Sequence, residues 1–84
     1  MDEARVAVSA EGRTVALQLA WSRTLEDVMT RACEELSLLG GDWELICSDG
    51  TTMTNKLERT LDELRARRIC PTRQFELRRV RPPW

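Results

Sequence analysis

The sequence contains no histidine, so it lacks the side chain that most often acts as a general base or metal ligand near neutral pH. Its three cysteines, Cys33, Cys47 and Cys70, are far apart and include no Cys-x-x-Cys pair, so zinc ligands at the usual spacing are missing. Gly40-Gly41 has no neighbouring lysine and hydroxyl of a phosphate-binding loop, and it is typical of a helix stop. We therefore predict a protein that is not an enzyme and that uses no metal, cofactor or small-molecule substrate.

The sequence also has no long hydrophobic run, since no apolar stretch approaches the ~20 residues of a membrane span. The first residues are acidic, and no hydrophobic signal segment follows them. These absences predict a cytoplasmic protein without membrane contact. In that compartment the cysteines should be reduced thiols, mostly buried, with Cys70 the most exposed of the three because it lies in a predicted turn.

Charge is distributed unevenly along the chain. Residues 1–64 carry thirteen acidic and six basic side chains, a net charge of −7, whereas residues 65–84 carry seven arginines and one glutamate, a net charge of +6. The acidic part disfavours nucleic-acid binding, and no aromatic side chains are interleaved with the arginines. The basic end instead favours a protein partner with an acidic surface.

A change of period between Gly12 and Leu36 indicates the architecture. Apolar residues alternate from Val15 to Leu19, which predicts a strand, and then recur at helical spacing from Leu25 onward. Thr24 is a good helix N-cap, and the carboxylate three residues later completes an approximate capping box. A strand with one apolar face followed by a helix with one apolar stripe predicts that the helix packs across a sheet.

The remaining pattern completes an α+β fold made of one domain, residues 1–84, with an ordered core at about 5–80 and a tail at 81–84. The length of 84 residues fits one such domain. The first and last strands should pair in parallel, with the main helix as the crossover. A short edge strand and a loop are expected within 51–57, and a short helical turn over 59–64. The predicted strands are Arg5–Ser9, Thr14–Ala20, Trp43–Cys47 and Gln74–Val80.

This order resembles ubiquitin-like β-grasp domains over about residues 5–80. The segments that carry the resemblance are GRTVALQL at the second strand, TLEDV at the helix start, LIC followed by DG at the third strand, and RTLDEL before the last strand. The resemblance implies a mixed sheet of four to five strands with one main helix packed across it. It does not by itself imply a function, because this fold hosts many.

The departures from ubiquitin matter for function. The segment after the last strand reads VRPPW where conjugated modifiers have Gly-Gly, and Lys56 is the only lysine. The chain is similar to accessory ubiquitin-like proteins of bacterial type VII secretion in its W-x-L-x-x-x-D-G and T-L-x-E-L segments. We expect a non-enzymatic protein-protein interaction module or small accessory subunit. A modifier or sulfur-carrier relative, or a subunit of a multicomponent enzyme or secretion complex, stays open as an alternative.

Two groups of residues are the candidate binding surface of an expected monomer. The resemblance places the first group on the exposed face of the sheet. The second is a set of arginines, which suit acidic partners because a guanidinium donates paired hydrogen bonds to a carboxylate. Trp84 is either a docking anchor or simply part of an unstructured end. The sheet-face residues are Glu44, Ile46, Glu76 and Arg78, and the arginines are Arg65, Arg68 and Arg73.

Overall fold

The computed structural model describes residues 3–38 and 42–80. Within these ranges the predicted strands and helices are confirmed, with ends shifted by two residues or fewer. The exception is the predicted edge strand within 51–57, which is a single bridge between Ile46 and Thr52 followed by a 3-10 turn. The elements are β1 Glu3–Ala10, β2 Arg13–Ala20, α1 Leu25–Glu35, β3 Trp43–Cys47, the 3-10 turn Thr54–Lys56, α2 Leu61–Ala66 and β4 Gln74–Arg79.

The strands form one mixed sheet in the order β2-β1-β4-β3. The first strand, β1, pairs in parallel with the last, β4, as the sequence predicts, and the other two pairings are antiparallel. A parallel pair needs a crossover connection, and α1 lies within that connection. No helix in the described part of the chain is long and apolar enough to cross a membrane.

The hairpin of β1 and β2 is closed by a loop of two residues. Glu11 and Gly12 have φ angles of 51° and 80°, the left-handed pair that matches the twist of the flanking strands. Their neighbours Ala10 and Arg13 are partners, and the register continues without a bulge to Glu3 opposite Ala20. The tight turn therefore fixes which residues of β2 face the core.

The core lies between the sheet and α1. The Thr24 hydroxyl accepts a hydrogen bond from the Asp27 backbone N–H, and the Asp27 carboxylate accepts one from the Thr24 N–H, so the predicted capping box is present. Helical spacing then buries Leu25, Val28 and Ala32 against the sheet. One face of the sheet is thus covered by α1, while the opposite face, called here the outer face, is not covered by this helix.

The connection between β2 and α1 is fastened to the segment around α2. The Leu61 N–H donates to the Arg23 carbonyl at 2.9 Å, and the Asp62 N–H donates to the Trp21 carbonyl at 2.9 Å. A second capping box, Thr60 with Glu63, begins α2. These bonds hold α2 beside Trp21, which positions the arginines that follow.

A disulfide joins Cys47 at the end of β3 to Cys70 in the loop before β4, with their Cα atoms 5.9 Å apart. The expectation of three reduced thiols is therefore wrong, and so is the expected exposure of Cys70, which is buried. Antiparallel pairing of β3 with β4 brings together two cysteines that are 23 residues apart. Cys33 on α1 is the free thiol, and partial burial raises its pKa.

Candidate functional site

Three of the predicted arginines surround one shallow hollow between α2 and the loop that precedes β4. Arg65, Arg68 and Arg73 line it, together with apolar side chains that include Ile69 and Leu64. The hollow has a volume of about 100 Å³. We call this site the basic hollow, and its small size fits one side chain better than a small-molecule ligand, whose pockets have about 300–1,000 Å³.

Trp21 supports two of these arginines. The guanidinium carbon of Arg65 lies 4.0 Å from the centroid of the Trp21 ring, and that of Arg73 lies 5.3 Å from it. Both distances are within the range of cation–π attraction, which holds each side chain in place while leaving N–H groups available. In the sequence Trp21 directly follows an apolar strand, but periodicity does not predict that two distant arginines stack on it.

The backbone between α2 and β4 is bent sharply. Arg68, Cys70 and Arg73 all have φ angles near +50°, a conformation that is uncommon for residues other than glycine. The disulfide at Cys70 and a hydrogen bond from the Arg73 Nε to the Arg5 carbonyl, at 3.3 Å, hold this path. The loop therefore presents its arginines in a fixed arrangement.

A second cluster of charge lies on the outer face. The Arg78 Nε donates to a Glu76 carboxylate oxygen at 2.8 Å, and Arg78 is the cross-strand partner of Glu44. Arg78 thus pairs with one carboxylate on its own strand and has a second acidic residue opposite it on β3. The Arg78 and Glu76 side chains are 62% and 46% exposed, so this ion pair contributes little to stability.

Comparison with known proteins identifies the architecture. A de novo design based on ubiquitin has a TM-score of 0.71 and 22% identity, covering 95% of this chain and 92% of the design. A ubiquitin of Caldiarchaeum subterraneum has a TM-score of 0.70 and 18% identity, covering 98% of this chain and 99% of its own. The chain has a ubiquitin-like fold. At these identities the likeness concerns the fold alone.

A third match lies within a much longer chain. This chain matches part of the MycP5-free ESX-5 inner membrane complex with a TM-score of 0.55 and 17% identity, over its whole length but over only 22% of that chain. No protein-family model and no curated protein matches the sequence. The relation of this chain to known proteins therefore rests on structural similarity.

One sheet-face prediction drawn from the ubiquitin resemblance is wrong. Ile46 is not exposed, because only 6% of its surface is accessible. It lies on the outer face, between Glu76 on β4 and Thr52 of the segment that follows β3. Since Thr52 bridges to the free side of β3, Ile46 is flanked on both sides and not left at an open edge.

The predicted site residues form two surfaces and not one. Arg73 precedes the first residue of β4 and Arg78 is its last but one. At ~3.3 Å per residue, the two positions are about 17 Å apart along this strand of the ubiquitin-like sheet. Trp84 lies outside the described residues. The structure therefore brings the three arginines together and leaves the patch of Glu44, Glu76 and Arg78 farther along the strand pair.

Proposed function

We propose that this chain is a non-enzymatic ubiquitin-like module that binds a protein partner through the basic hollow. The observation that carries the proposal is the convergence of Arg65, Arg68 and Arg73 on a space the size of one side chain. A glutamate or aspartate of the partner would fill that space. Bidentate hydrogen bonds from a guanidinium to its carboxylate would supply both affinity and orientation.

Charge supports an acidic partner. Arg65 is paired with Asp62 through an exposed contact, whereas Arg68 and Arg73 form no ion pair with any of residues 3–38 or 42–80. Two guanidiniums beside the hollow are thus open to an incoming carboxylate. The surrounding segment has a net charge of +6 over residues 65–84, so it would also steer an acidic surface toward the site.

The role as part of a larger assembly is favoured by one observation. The fold of this chain recurs as part of a longer chain in the ESX-5 inner membrane complex. We propose that this chain likewise acts as a small accessory subunit, or as a module of one, in a bacterial assembly such as a secretion complex. The Cys47–Cys70 disulfide argues against the cytoplasmic location expected from the sequence, because reducing compartments seldom keep such a bond closed.

The binding proposal is tested with a fluorescent peptide of alternating aspartate and glycine, followed by polarisation at physiological salt. The variant Arg68→Glu reverses a charge at the hollow without removing the contacts that Arg65 and Arg73 make to Trp21. We expect it to weaken binding by about tenfold or more, because it removes a charge-assisted hydrogen bond and adds a repulsion.

The matched control is Lys56→Glu, which changes the net charge by the same amount on the 3-10 turn. We expect it to alter binding less than about twofold, because Lys56 does not line the basic hollow and salt screens charges that lie outside direct contact. Equal weakening by both variants would mean that only overall charge matters. In that case the basic hollow would not be the binding site.

A further inference from the structure

The strand β2 is an open edge of the sheet. In a hairpin with a two-residue loop, the residues flanking the loop exchange both hydrogen bonds, and bonded pairs recur at every second position. Starting from Ala10 opposite Arg13, this rule directs the backbone N–H and C=O groups of Val15, Leu17 and Leu19 toward β1. The backbone N–H and C=O groups of the intervening residues point away from the sheet. These residues are Thr14, Ala16 and Gln18.

The edge is accessible and is not protected by the usual devices. Thr14, Ala16 and Gln18 are all exposed, and their outward backbone groups bond to no other residue in the described ranges. Natural edge strands are commonly blocked by proline, lysine, a bulge or a covering segment. Between Thr14 and Ala20 the strand has no proline, lysine or bulge, and no segment within residues 3–38 or 42–80 pairs with its free side.

A groove runs beside this edge, between β2 and α1. It has a volume of about 600 Å³, and its lining includes Ala16 and Leu17. Its charged residues are two acidic and two basic, Glu3, Arg5, Arg31 and Glu35. The balanced charge disfavours a strongly acidic or basic peptide. A second copy of this chain, whose groove carries the same two acidic and two basic residues, meets no net charge repulsion there.

We propose that β2 pairs with β2 of a second copy of this chain, in antiparallel orientation about a twofold axis at Ala16. In this register Ala16 faces its own counterpart, and Thr14 faces Gln18 of the other copy. All three residues with free backbone groups are then paired, and no charged side chain faces its own copy on the outer face. The result is a continuous sheet of eight strands.

The neighbouring registers fit less well. Centring the axis on Leu17 would place Thr14 opposite Ala20, whose carbonyl already accepts the Arg23 N–H at 2.9 Å. Centring it on Val15 would place Gln18 opposite Gly12, which lies in the hairpin turn. The Ala20 carbonyl at one end of β2 is already bonded, and Gly12 at the other end lies in the turn. Both therefore favour the axis at Ala16.

The proposal predicts a dimer that dissociates on dilution, in contrast to the monomer expected from the sequence. An interface made mainly by one strand from each copy belongs among the small ones, below about 1,200 Å², which are weak and transient. Sedimentation velocity across a concentration series from about 10 μM to 1 mM should therefore show a rising average mass, because a weak dimer fills by mass action as the protein concentration increases. A constant monomer mass up to the highest concentration would overturn the proposal.

The variant Ala16→Pro tests the role of the backbone. Proline removes an N–H that points away from β1, so the hairpin ladder is retained. By symmetry both hydrogen bonds of the central pair are lost, and the dimer dissociation constant should rise about tenfold or more. The control Ala16→Ser keeps the N–H and should dimerise like the wild type. Circular dichroism of each variant establishes that it is folded.

Charge exchange tests whether the partner is the same residue of a second copy. Ala16→Lys and Ala16→Glu should each be monomeric, because like charges would face each other across the axis. An equal mixture of the two variants should form a heterodimer. A dimer that persists in both separate variants would place the interface elsewhere. Binding of extended peptides to β2 by a chain that stays monomeric would show that the edge serves another protein, which also overturns the proposal.

Discussion

The two edges of the sheet differ in how their backbone groups are satisfied. At β3 the chain turns back and covers the edge: the Cys47 N–H donates to the Thr51 carbonyl at 2.8 Å, and the Met53 N–H donates to the Leu45 carbonyl at 2.7 Å. The Thr54 hydroxyl accepts the Leu45 N–H at 3.1 Å. At β2 no described residue fills this role. One sheet therefore has a closed edge and an open edge.

The difference arises from the residues that follow each strand. After β3, Asp49 and Gly50 form a tight turn in which the Asp49 carboxylate accepts the Thr51 N–H at 2.9 Å, and this turn directs the chain back along the strand. After β2, a turn at Trp21–Arg23 directs the chain away into α1. Short polar segments thus decide which edge can meet another molecule.

The largest expected effect on the free energy of unfolding comes from removing the disulfide at the β3 side of the sheet. Replacing Cys47 and Cys70 together by alanine removes a disulfide that spans 23 residues. The free energy of unfolding should fall by roughly 3 kcal/mol, because the unfolded chain regains the entropy of the open loop. Urea denaturation measures this change. The same loss should follow when the wild type is reduced.

Cys33→Ala is the control for this prediction, since Cys33 forms no disulfide. This variant keeps the Cys47–Cys70 disulfide, so reductant should lower its free energy of unfolding as much as that of the wild type. If reductant leaves the unfolding midpoint of the wild type unchanged, the cross-link does not contribute to stability in solution.

A smaller effect should follow from trimming Ile46. Ile46→Val deletes one methylene from a side chain that is 6% exposed, so the free energy of unfolding should fall by about 1 kcal/mol. An isoleucine on an open edge would lose far less on the same change. Val15→Ala provides a comparison on the open side, where the side chain is only partly buried. A loss near zero for Ile46→Val would mean that the segment after β3 leaves this edge open.

Much of the fold could be predicted from local pattern. Alternation and helical spacing located the strands and α1, and Thr24 with Asp27 located the helix start, because each depends on neighbours in the sequence. The burial of Ile46 and the disulfide depend instead on contacts between distant segments. Alternation predicts Ile46 on the face opposite Leu45. The sequence also predicts a short edge strand within 51–57, but no local pattern specifies that this segment bridges to Ile46.

The candidate site was predictable in composition and not in arrangement. The excess of arginine after residue 64 is visible in the sequence, and it led to Arg65, Arg68 and Arg73. Their convergence depends on Trp21. Hydrogen bonds between the segment that precedes α1 and the start of α2 bring Trp21 beside these arginines. Side-chain stacking across more than forty residues has no periodic signature, so it could not be inferred from spacing.

The smallest expected effect concerns the turn that closes the edge at β3. Hydrogen bonds from Thr51 hold the pKa of the Asp49 carboxyl below its ordinary value of 3.8. A depressed folded-state pKa means that the contribution to stability is present above pH 3.8 and is lost as the pH falls through the folded value. Asp49→Asn keeps an acceptor for the Thr51 N–H but does not titrate in this range. Chemical denaturation at pH 7 and in steps below pH 4 should therefore show that the free energy of unfolding falls less with acid in the variant than in the wild type. The reason is that the turn in the variant holds the covering segment on β3 irrespective of pH. An equal fall in the two proteins would show that Asp49 does not control this edge.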